Sequence, residues 1–84
     1  MLVEDDEVFR IGLTVSLRQS KALKLVGIAE DGRKGLDMVE RFQPDVVLMD
    51  LGLPVLNGVN ATEMVKKRYP KVKVLALTSH SEPK

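Results

Sequence analysis

An α/β fold built on a parallel sheet is what this chain predicts, on three observations. Short apolar runs alternate with helix-like segments from end to end, in the order β-α-β-α-β-α-β. The apolar runs mostly lack the polar alternation of a half-exposed strand, which suits strands covered on both faces. Each helix-like segment begins behind a capping residue, and two of the three stop at or near a proline. Right-handed crossovers follow from the chirality of βαβ units.

The first strand is Leu2–Val3, all that stands between Met1 and a run of acids. The first helix spans about Glu7–Gln19, with Asp6 as a fitting cap. Val8, Ile11 and Val15 recur at spacings of three and four, and Phe9, Leu13 and Leu17 form an adjacent row. Residues 25–29 supply the second strand. The second helix, Gly32–Phe42, starts behind Asp31, carries Leu36, Val39 and Phe42 on one face, and ends at Gln43-Pro44. A residue before proline avoids the right-handed helical region, which sets that end. Residues 46–49 form the third strand. The third helix covers about 58–69, with Asn57 as cap, Ala61, Met64 and Val65 as its apolar face and Pro70 as its stop. Its last turn holds Lys66, Lys67 and Arg68, read as a solvated face that complements the helix dipole. Residues 72–77 form the fourth strand.

Composition bounds the function. A chain of 84 residues makes one small domain with a thin margin of stability. With 44% apolar and 30% charged residues it reads as globular, not disordered. Thirteen basic against twelve acidic residues leave a net charge of +1, which gives this segment no electrostatic case for nucleic-acid binding. The absence of cysteine excludes disulfides, thiolate chemistry and cysteine-based zinc sites. The apolar runs are too short to cross a bilayer, and Met1-Leu2-Val3 followed by three acids is no signal peptide. A cytoplasmic location is expected.

In open sheets of this kind, sites lie beyond the carboxyl ends of the strands. Glu4, Asp5 and Asp6 follow the first strand, Asp50 the third, and Thr78, Ser79 and His80 the fourth. Four carboxylates on one rim repel one another and suit a hard divalent cation such as Mg²⁺. An aspartate in such a site can also act as a nucleophile toward phosphorus.

Three stretches, LVEDDEVFR, DVVLMDLGLPVLNG and VLALTSH, taken in order, resemble the receiver domain of two-component response regulators, and the match covers the whole chain. The resemblance implies a flavodoxin-like (CheY-like) three-layer fold with strand order 2-1-3-4-5. The resemblance places the acidic pair five and six residues before an arginine in the first helix, and Arg10 then picks Glu4 and Asp5. By resemblance, Asp5 binds Mg²⁺ directly, Glu4 binds it through water, and Gly52 lends it a backbone carbonyl. Asp50 is then phosphoacceptor and metal ligand, and Thr78 is the switch hydroxyl that bonds the phosphoryl group. Pro54 and Gly58 shape the loop into the third helix. Asp6 is expected only to cap, Arg10 to be a surface helix residue and His80 an exposed loop imidazole.

The family mechanism implies transfer of a phosphoryl group from a phosphohistidine on a sensor histidine kinase to Asp50, with a conformational switch as output. The domain is then no enzyme in the ordinary sense, but a self-phosphorylating phosphoacceptor with at most slow autophosphatase activity. The TSH sequence and Arg10-Ile11-Gly12 resemble regulators with a LuxR-type helix-turn-helix output, so transcription is the expected end point and DNA is met only through an output domain outside these residues. A complete receiver runs to roughly 120 residues. Residues 1–84 therefore read as a single receiver domain cut after the fourth strand, without the fourth helix, the fifth strand and its lysine, or the fifth helix. The fourth strand should then be an apolar edge, and homo-oligomers through that edge or a helix face are expected. The competing reading is a receiver-like interaction or dimerisation module that is not phosphorylated. A magnesium phosphohydrolase fits less well, because Gly52 stands where such enzymes usually carry a second acid.

Overall fold

The structure, a computed structural model, describes residues 1–53 and 55–77. Pro54, Thr78, His80 and Lys84 lie outside the described residues. The elements run β1 (Leu2–Val3), α1 (Glu7–Gln19), β2 (Ile28–Ala29), α2 (Gly32–Phe42), β3 (Val46–Asp50), α3 (Gly58–Arg68) and β4 (Lys73–Leu77). All strand pairs are parallel, and the sheet order is β2-β1-β3-β4. The predicted fold class, helix positions and central place of β1 are all present.

Strand alternation divides the sheet into two faces. Val3, Ala29, Val47 and Met49 point to one face, where Leu36 and Val39 of α2 and Ala61 and Val65 of α3 close over them as the core. Leu2 is fully buried yet stands outside this cluster, because it points to the opposite face with Leu48. That second face is thinly covered. None of α1's residues is buried. A groove of about 600 Å³ remains, with Leu17 of α1 on one side and Leu48 and Leu75 of the sheet on the other.

The three expected caps are in place. The side chains of Asp6, Asp31 and Asn57 accept from the backbone N–H of Phe9, Lys34 and Asn60 at 3.0, 2.8 and 2.9 Å. Four details differ from expectation. The apolar row Val8, Ile11 and Val15 faces outward, and the half-buried row is Phe9, Leu13 and Leu17. β2 holds only Ile28 and Ala29, because the β1 ladder opposite it is itself two residues long. Gln43 ends α2 in the left-handed region, at φ 43° and ψ 63°, and its N–H donates to Val39 O. Tyr69 caps α3 instead of extending it. At the far side of the sheet, β4 pairs only with β3 among the described residues, and Leu75 on it is 56% exposed.

Candidate metal centre

The two central strands deliver the acids. Glu4 directly follows β1, and its N–H donates to Ala29 O at 3.0 Å, so the ladder carries the residue into the interior. Asp50 is the last residue of β3, paired with Leu77 of β4. Both are essentially without solvent exposure, at 0% and 1%. Asp5, next in the β1–α1 turn, is exposed. One carboxylate oxygen from each of Glu4, Asp5 and Asp50 lies within 4.8 Å of the others. Asp6 stays out of this group and caps α1, as expected.

Buried carboxylates need donors, and here the supply is short. Glu4 Oε2 accepts from the N–H of Asp6 at 3.0 Å, and Asp50 Oδ1 from the N–H of Gly52 at 3.1 Å. Glu4 Oε1 and Asp50 Oδ2 are buried with no hydrogen-bond partner. Burial pushes the Glu4 carboxyl up to about 7. The Asp6 N–H works against that rise, while the neighbouring carboxylates of Asp50 and Asp5 add to it. Two orphaned buried oxygens beside a third, accessible carboxylate form an all-oxygen donor set. It fits a hard divalent cation with water in its remaining positions.

The loop after β3 is held from two sides. The N–H of Gly58 donates to Leu51 O at 3.0 Å, and a Cβ on Gly58 would overlap the Asp50 carbonyl oxygen. A Cβ on Gly32, the first residue of α2, would overlap Leu56 O. Gly52 is exposed, with its N–H turned to Asp50. Sequence reading assigned Gly58 to the loop but missed Gly32, whose only signal was a glycine directly behind the Asp31 cap. It also set Arg10 aside as a surface residue. The structure instead half-buries Arg10 and directs its Nη1 at Glu4 O (3.1 Å) and, more weakly, at Asp5 O (3.4 Å).

Known proteins match both the chain and its fold. The response regulator receiver domain family matches residues 1–84. The transcriptional regulatory protein DegU of Brevibacillus brevis is 39% identical over 82 residues, which cover 98% of this chain and 35% of DegU. The signal receiver domain of a Mycobacterium tuberculosis response regulator designated NarL superposes with a TM-score of 0.85 at 31% identity, covering 98% of this chain and 66% of that one. A LuxR-family two-component response regulator from Aurantimonas sp. SI85-9A1 gives 0.87 at 28% identity, over 96% of this chain and 58% of that one. The chain thus spans about a third of the length of DegU. With an acid triad where β1 and β3 end, the expected strand order and a family match from the first residue to the last, this chain belongs to the receiver domains of two-component response regulators.

Proposed function

We propose that this receiver domain accepts a phosphoryl group on Asp50 and relays the change to an output. The observation that carries the reading is the buried Asp50 carboxylate, which shares one spot with Glu4 and Asp5 and has one oxygen without a donor. The donor is a phosphohistidine on a sensor histidine kinase. An Asp50 oxygen attacks phosphorus, the new P–O bond forms as the P–N bond breaks, and the electron pair leaves with the imidazole nitrogen. Asp5, Asp50 and the Gly52 carbonyl, with Glu4 through water, would hold Mg²⁺. Bound there, the ion supplies positive charge against the phosphoryl oxygens.

The chain's own residues do the positioning. The Gly52 N–H fixes one Asp50 oxygen, and Gly58 seats the Asp50 backbone against α3. The Thr78 hydroxyl is assigned the switch role, as a bond to the phosphoryl group. The setting is cytoplasmic. The output is transcription, through a DNA-binding region outside these residues. Among the described residues no helix is long and apolar enough to cross a membrane.

The test is intact mass after incubation with Mg²⁺ and a small phosphodonor. A gain of one phosphoryl group is expected, lost on removing Mg²⁺ and in Asp50→Asn. No gain in protein shown to be folded would overturn the reading. A second reading, self-association, is favoured by outward-facing Val8, Ile11 and Val15 and by exposed Leu75 on β4. Sedimentation checks it: a monomer at all concentrations would exclude it.

A further inference from the structure

We propose that Arg10 is a positioning residue for the divalent-cation site, holding the β1–α1 turn so that the Glu4 and Asp5 carboxylates converge on Asp50. The inference rests on the magnesium reading above and adds a residue to it. Two neighbouring ligands on one turn can converge on a third only if the turn's backbone is fixed. Its start is fixed by the bond from Glu4 N–H to Ala29 O, and its end by the Asp6 cap on Phe9. Between them, the carbonyls of Glu4 and Asp5 accept from the Arg10 guanidinium. Helical side chains lean toward the helix N-terminus, so a long side chain in the first turn of α1 reaches back over that turn. Thr14 Oγ1 donates to Arg10 O at 2.7 Å and ties the residue into the next turn of the helix. The guanidinium presents its donors as a rigid planar fork.

The sign of the effect separates this role from a plain charge effect. Arg10 is a cation beside a cation site. On Coulomb grounds alone, removing it would tighten Mg²⁺ binding. If it positions the ligands, removing it loosens binding, as loss of an outer-shell partner does.

The experiment is Mg²⁺ titration of the unphosphorylated protein, followed by the amide signals of Asp6 and Gly52 in ¹⁵N NMR. Far-UV circular dichroism monitors the fold. Arg10→Met keeps the stem and loses the fork, and should weaken Mg²⁺ binding about tenfold. Arg10→Lys keeps charge and reach without the planar fork, and should fall between Met and wild type. In phosphorylation assays the Mg²⁺ requirement should rise while the rate at saturating Mg²⁺ returns to that of wild type. Folded Arg10→Met that binds Mg²⁺ as tightly as wild type, or more tightly, overturns the proposal. Should Arg10→Met fail to fold, Arg10→Lys decides in the same way. Wild-type protein whose signals do not respond to Mg²⁺ at all would instead overturn the magnesium reading, and this proposal with it.

Discussion

Glu4 is an acid placed where an acid is expensive, and its titration links the site to stability. Its folded value of about 7 lies above its ordinary value of 4.5. A raised value means that the folded state binds the proton more tightly than the unfolded chain does. The resulting stability is fully present below pH 4.5 and is lost as pH rises through 7. The unfolding free energy of the metal-free protein should therefore fall across this window, by between about 1 and 3 kcal/mol. Glu4→Gln should flatten that slope in thermal unfolding scans at a series of pH values, and excess Mg²⁺ should oppose it by favouring the ionised form. An unchanged slope in Glu4→Gln would contradict the account. Gly58→Ala should cost about 2–3 kcal/mol in denaturant unfolding, because the added methyl meets the fixed Asp50 carbonyl and not a movable side chain. The rim acids were legible in the sequence because parallel strands bring their carboxyl ends to one rim, and the family resemblance singled out Glu4, Asp5 and Asp50 from Asp6. The contacts of Arg10 and Gly32 were not. Periodicity gives a side chain's face, but not the carbonyl oxygen a long side chain reaches or the one a glycine admits.

At the scale of elements, local chemistry was read most directly at the helix starts. Asp6, Asp31 and Asn57 each do what their position ahead of an apolar-periodic segment implied. Asn57→Ala should lower stability by about 1 kcal/mol, measured as a shift in the denaturant midpoint without a change in slope. Gln43 is the opposite case. The proline after it announced the end of α2 but not the left-handed turn that makes the end, and a side chain there is strained. Gln43→Gly should raise stability by about 0.5–1 kcal/mol in the same assay. The outward turn of Val8, Ile11 and Val15 could not be read from the chain. Two adjacent apolar rows give a broad stripe, and which row is covered depends on what lies opposite. Strand length was hidden for a related reason, since β2 can be no longer than the ladder that β1 offers it.

Taken together, the described residues are asymmetric about the sheet. The face under α2 and α3 holds the core, whereas α1 covers the other face without a buried residue. Amide exchange should follow that division, with α1 losing protection well before α2 and β3. Equal protection across all three helices would contradict it. Charge is divided as well. Five cations, Lys66, Lys67, Arg68, Lys71 and Lys73, fall in eight residues at the end of α3 and the start of β4, while the acids gather where the strands finish. Within this frame β1 has a second significance. Among the described residues, the sheet order makes this short strand the seam joining β2 to the β3–β4 pair. Glu4 and Asp50 stand on either side of that seam, immediately past its end. An ion held between them would act as a rivet across the sheet's shortest joint. Under tension that peels β1 from β3, the rivet would have to fail with the ladder, so occupancy of the site would register as resistance to force as well as readiness to react.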